Sequence, residues 1–235
     1  MKKITLTLIC LTSGLLSNFF AASSFKNEPM IRPISGLEID LVYSHPHNAA
    51  FNMPKESILS LGSTGHQKLV NENKIPENKP LTIIDFSLPS SEKRMWIIDV
   101  VSGVILHYGY VSHGRNSGDL LAKHFSNKNS SYMSSLGFYL TAETYQGKHG
   151  YSLRLDGLEQ GFNDKARERA IVIHGADYAK EEFIQVTGRL GRSLGCPALP
   201  REEAKEVIDL IKGQSLLFIY GNDTQYLEKS PILNT

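Results

Sequence analysis

Three short segments place reactive side chains beside glycine: Ser112–Gly118 (SHGRNSG), Ile173–Asp177 (IHGAD) and Gly191–Pro197 (GRSLGCP). The third carries Cys196, a thiol set between glycine and proline, and the second carries His174 at the end of an apolar run. A thiol attacks as the thiolate, and histidine is the usual base that produces it. Gly195, directly ahead of Cys196, permits a tight turn whose consecutive N–H groups converge on one point, as an oxyanion requires. His174 and Cys196 stand 22 positions apart, enough for a helix and a loop to bring the chain back to one sheet edge. Spacing alone leaves open the commoner fate of a free cysteine, a buried structural thiol.

The elements that must position these groups are mostly strands. Leu81–Phe86, Met95–Val101 and Val104–Val111 are rich in β-branched and aromatic residues, and Ser102-Gly103 between the last two predicts a hairpin. Strand signals resume at Leu136–Ala142 and Tyr151–Leu155, around a loop holding Gly147 and Gly150, and again at Ala170–His174 and Ser215–Tyr220. The clearest helix opens at Pro200: Ala204, Val207, Ile208 and Ile211 share one face, Glu202 and Glu203 fill the first turn, and Gly213 stops it. Shorter helices are expected over Tyr178–Val186 and, strongly charged, over Asn163–Arg169. Residues 24–80 read as a polar, proline-punctuated preface with short helical pieces, one opening at Pro54. The expected organisation is therefore a strand-dominated α+β domain over 81–222 and a tail over 223–235.

Residues 1–23 have the form of a secretory signal peptide: Lys2 and Lys3, an apolar run from Ile4 to Leu16, then small residues to Ser23. Its eight Ser, Thr or Asn residues between Ile4 and Phe25 make it a poor membrane-spanning helix. Cleavage would remove two lysines, no acidic residue and Cys10, turning the formal charge from +1 to −1 and leaving Cys196 as the single cysteine. The expectation is export to the periplasm or cell envelope, with membrane contact only through the signal. Near-neutral charge argues against a nucleic-acid binder, and one mature thiol against a disulfide scaffold or a polythiolate zinc site. A metal enzyme using His113, His174 and Cys196 finds no carboxylate at ligand spacing, so neither metal nor cofactor is expected.

The order of these motifs is similar to the L,D-transpeptidase catalytic domain (YkuD-like fold), whose signature is a strand histidine followed, after a spacer, by Ser-His-Gly-Cys. SHGRNSG, SLGFYLTAETYQGKHGYSLRLDGLE, RAIVIHGADY and GRLGRSLGCPALP together resemble a divergent murein branch of that family, over Leu81 to Tyr220. The resemblance implies a β-rich, two-sheet domain acting on peptidoglycan stem peptides, with peripheral helices. It implies Cys196 as nucleophile, His174 as general base, the Gly175 carbonyl as orienter of His174, and backbone N–H groups of Leu194, Gly195 and Cys196 for the oxyanion. Two positions depart from the signature. Leu194 stands where the second histidine is usual, and Ala198 stands two places after the cysteine, where arginine is common; Arg192 or Arg189 could supply that charge from the other side.

The implied chemistry is acyl transfer through a Cys196 thioester to an amine on a second stem or a wall-linked protein, or to water as an L,D-carboxypeptidase. A non-catalytic wall-binding module is the third reading, countered by the presence of both thiol and base. Further contacts to substrate are expected from His113, Arg115, Arg192, Ser193 and Tyr139. His113 reads equally as a loop histidine held by backbone, and Tyr139 chiefly as strand packing.

Overall fold

A computed structural model describes residues 37–234; the expected signal peptide, Cys10 and the start of the preface lie outside them. A short helix α1 (Ile39–Ser44), a 3-10 turn (Pro46–Ala50) and helix α2 (Glu56–Asn71) precede the first strand. The strands are β1 (Leu81–Asp85), β2 (Met95–Ile98), β3 (Ile105–Gly109), β4 (Gly137–Gly147), β5 (Gly150–Gly157), β6 (Val172–Ala176), β7 (Ala198–Pro200) and β8 (Leu216–Tyr220). Helices α3 (Glu181–Thr187), α4 (Arg201–Ile211) and α5 (Thr224–Lys229) complete the fold.

The expected α+β, β-rich class is what the chain adopts. Its strands join in the order β3-β2-β1-β8-β4-β5-β6-β7, antiparallel except for β1/β8 and β6/β7. Two sheets were expected; here hydrogen bonding runs continuously through eight strands. β4 is the reason. Its first residues, Gly137–Leu140, pair with β8, while Tyr139–Gly147 pair with β5, across a register shift between Thr141 and Thr144.

β1 is buried at all five positions, which explains its unbroken apolar run: both faces are covered. α2 lies over this region, with Ile58, Leu59 and Leu69 buried in the same core as β1 and β8. A Cβ on Gly65 would fall 2.2 Å from the Phe138 ring, so only glycine lets α2 approach β4 this closely. The residues read from sequence as a preface thus supply one layer of the core. α4 matches its expectation, burying Ala204, Val207, Ile208 and Ile211 against β6.

Two local expectations differ. The stretch Asn163–Arg169 is a series of turns, not a helix. The Asn163 side chain holds it: Oδ1 accepts from Glu159 N (2.8 Å) and Nδ2 donates to Leu136 O (3.0 Å) and Phe138 O (2.9 Å). Those bonds compete with helical pairing, a habit of Asn side chains. The expected helix over Tyr178–Val186 divides into a 3-10 turn at Asp177–Ala179 and α3. The hairpin across Ser102-Gly103 forms as expected, with Gly103 at φ +73°.

Candidate active site

The parallel pair β6/β7 brings the two reactive segments together. His174 is opposite Ala198, and Gly175 opposite Leu199. Cys196 therefore enters two residues ahead of Ala198, alongside the start of β6. Its Sγ donates to Ala170 O at 3.6 Å, immediately before that strand. Segment 112–115 straps the nucleophile loop from the other side: Ser112 N donates to Ala198 O (2.8 Å), Ser193 N to His113 O (2.9 Å) and Arg115 N to Ser193 O (2.8 Å). The three segments singled out from sequence thus meet at one place.

His174 is buried, with Nδ1 3.1 Å from Gly175 O. A carbonyl only accepts, so this contact puts the proton on Nδ1 and leaves Nε2 as the basic nitrogen. Burial holds the imidazole below its ordinary pKa against the opposing Gly175 bond, with charge on His149 and Arg201 acting the same way as burial. Burial pushes the Cys196 thiol up, opposed by the Val172 N–H and the Arg169 cation. Both shifts favour neutral partners at rest. The site holds a thiol and a free base near neutrality, and the thiolate forms when the proton is drawn off.

The turn before the thiol is held from within. Ser193 Oγ donates to Cys196 O (2.6 Å) and accepts from Gly195 N (3.0 Å). Gly195 adopts φ +122°, where a Cβ would meet Met133 O at 2.8 Å. This corrects the expectation for Gly195 as an oxyanion donor, because its N–H already belongs to Ser193. The N–H groups of Leu194 and Cys196 carry no intramolecular hydrogen bond among the described residues. Leu194, in the position of the usual second histidine, is 58% exposed.

Four of the five residues expected to contact substrate are engaged elsewhere. His113 is fully buried; Arg94 donates to its Nδ1 at 2.8 Å and its Nε2 faces Gly118 O at 3.3 Å. Burial, with Arg94 close by, drops its pKa to about 4, so it is a neutral packing residue. Tyr139 is buried and donates to Ser135 O at 3.0 Å, which makes it core. Ser193 is the turn's staple. Arg192 pairs with Asp119 (2.7 Å) and donates to Gly118 O (3.2 Å), tying the strap to the nucleophile loop. Arg189 faces the same Asp119 carboxylate at 3.4 Å, so neither arginine replaces the missing cation beside the thiol. Arg115 alone remains exposed, with its guanidinium 4.3 Å over the Tyr132 ring.

The cation at the thiol is Arg169, which sequence reasoning placed in a charged helix. Its Nη1 donates to Ser126 O (2.7 Å) and Ser135 Oγ (3.1 Å), and its Nη2 to Met133 O (2.6 Å) and Ser131 Oγ (3.3 Å). It thereby folds the long polar stretch 126–135 against the loop of Cys196. An open pocket of about 370 Å³ lies beside it, lined by Asn129, Ser130, Tyr132, Glu168, Arg169 and Leu194. His149, at the tip of the β4–β5 hairpin, also escaped notice; its ring stacks on His174.

The sequence model described as L,D-transpeptidase catalytic domain matches residues 52–220. The chain belongs to that family. The match begins ahead of α2, within the stretch read as a preface. No curated protein sequence matches. Among solved structures, the L,D-transpeptidase from Mycobacterium smegmatis is similar at 12% identity, covering 61% of this chain and 59% of that one, with TM-score 0.38. L,D-transpeptidase 3 from Mycobacterium tuberculosis, with a faropenem-derived adduct, is 14% identical over 60% of each chain, TM-score 0.40. The helical cell shape determining protein Pgp2 from Campylobacter jejuni is 13% identical, over 68% of this chain and 56% of that one, TM-score 0.42. The matched region thus spans about six tenths of these proteins' lengths.

Proposed function

We propose that this protein is an exported cysteine acyltransferase acting on peptidoglycan tetrapeptide stems. The single observation that carries the reading is the alignment of β6 and β7, which sets the Cys196 loop beside a buried, neutral His174 whose Nδ1 faces Gly175 O. Membership of the L,D-transpeptidase family supports the substrate class.

In this reading Nε2 of His174 takes the Cys196 proton, and the sulfur attacks the carbonyl carbon of the third stem residue. The tetrahedral oxyanion is met by the N–H groups of Leu194 and Cys196, with Arg169 stabilising negative charge at sulfur. As the carbon–nitrogen bond breaks, the proton on His174 passes to the leaving D-alanine amine, and a thioester remains on Cys196. An acceptor amine then loses a proton to His174, attacks the thioester and forms an amide, returning the proton to the departing thiolate. Water in the amine's place gives a free carboxylate, the L,D-carboxypeptidase outcome. Local contacts select the substrate, consistent with the near-zero net charge.

Incubation with a carbapenem followed by intact-mass analysis tests the nucleophile. The expected result is one covalent adduct, mapped to Cys196 and lost in Cys196→Ala. An adduct that persists in that variant would overturn the assignment. Export over residues 1–23 is tested separately by the N-terminal sequence of the protein recovered from the cell envelope.

A further inference from the structure

His149 sits in the two-residue turn Lys148-His149 that joins β4 to β5, with Gly147 paired to Gly150 on either side. Two-residue hairpin turns favour Asn, Asp and Gly, whose backbones suit the turn. An aromatic ring at this exposed place has no local reason. Its ring lies face to face with His174, centroids 4.3 Å apart and planes 27° from parallel. The contact is built into the sheet: β5 pairs with β6 so that Ser152 stands opposite His174, and Ser152 Oγ donates to Gly150 O at 3.0 Å, holding the start of the hairpin's second strand.

The geometry points to His149 as the positioning residue of the active site, a ring that caps one face of His174, fixes its plane and keeps water from that face. This rests on the reading of His174 as the base for Cys196. Two constraints then define the imidazole: Gly175 O fixes which nitrogen is bare, and His149 fixes where that nitrogen points. A base held in plane reaches the thiol without a rotational search, and stacked ring pairs favour this near-parallel geometry. The other charged group acting on His174 is Arg201, at the start of α4 with Asp177 as its partner at 2.7 Å; Cys196 lies in the loop two residues ahead of Ala198, the β7 residue opposite His174. Charge on His149 or Arg201 disfavours charge on His174. His149 therefore acts on the base in two ways, by covering it and, when protonated, by repelling its proton.

The test uses the full chain with His149→Ala and His149→Phe, at an exposed turn where folding is not at stake. NMR titration of the His174 Cε1–H reads the cap directly. The expected result is an upward shift of the His174 midpoint by about half a unit or more in His149→Ala, with a smaller shift in His149→Phe, which keeps the ring but not the charge. Carbapenem acylation of Cys196 is expected to slow about tenfold in His149→Ala and to recover largely in His149→Phe. A His174 midpoint in His149→Ala that coincides with the unaltered protein, or an unchanged acylation rate, overturns the proposal. Failure of the unaltered protein to acylate at all would count against the acyltransferase reading, while the titration would still report the cap.

Discussion

Replacement of Arg169 separates the two tasks the structure gives it. The guanidinium makes four hydrogen bonds, of which those to Ser126 O (2.7 Å) and Met133 O (2.6 Å) are short and charge-assisted. At about 1.5 kcal/mol each, the low end for such bonds because the side chain is only half-buried, their loss in Arg169→Gln costs about 3 kcal/mol. For a domain of this size that lowers Tm by about 6–12 °C. The second task is electrostatic. Arg169 opposes the upward push of burial on the Cys196 thiol, so its removal raises the thiol further. Alkylation follows the thiolate fraction, so alkylation of Cys196 at pH 7 slows in Arg169→Gln. Arg169→Lys keeps the charge but not the fork; it is expected to lose about half the stability and little of the alkylation rate. Thermal unfolding and iodoacetamide kinetics, read at the Cys196 peptide, give both quantities. Lysine as slow as glutamine would refute the electrostatic role, and glutamine with an unchanged Tm would refute the structural one.

Three further outcomes follow from the same geometry. Gly195→Ala forces a side chain to φ +122° and against Met133 O, and is expected to displace the thiol and cut the acylation rate about a hundredfold; a rate within about threefold of the unaltered protein would show the turn is not held as described. Ser193→Ala removes the bonds to Cys196 O and Gly195 N, so about tenfold of acylation rate should go with about 1–2 kcal/mol of stability, read by kinetics and urea unfolding. His113 must take up a proton on unfolding between its ordinary pKa of about 6.5 and its buried value of about 4, so stability is full above that window and falls as pH drops through it, by about 3 kcal/mol at pH 4. Urea unfolding of His113→Gln should lack that part of the slope; the same slope as the unaltered protein would place the effect elsewhere.

Much of the frame was legible because burial writes itself into local pattern. The β-branched run at Ala170–His174, the hairpin at Gly103 and the one-sided apolar face of α4 each state their environment in a few residues. α2 was harder to read to its full length, since Gly62 and Gly65 lower helix propensity where close packing on Ile83 and Phe138 requires them. The turns at 158–170 hid behind charged residues of good helix propensity, because Asn163 settles them with bonds to a distant strand. At the site, types and spacing found the thiol, the histidine and the strap, which are sequence-local. They read Tyr139 as strand packing and left His113 open between packing and substrate, but could not tell that Ser193 is consumed by internal bonds, nor that Arg169 and His149 reach the centre. Those are contacts through space, and the one available signal was a histidine in a turn better suited to asparagine or glycine.

The central claim is acyl transfer from a peptide stem through Cys196. Incubation of the purified protein with a disaccharide tetrapeptide, followed by mass analysis of both muropeptides and protein, tests it most directly. The expected result is release of the terminal D-alanine, a thioester on Cys196, and either cross-linked dimer or tripeptide as product, all absent in Cys196→Ala. Unchanged turnover in Cys196→Ala, or an untouched tetrapeptide with the unaltered protein, would contradict it.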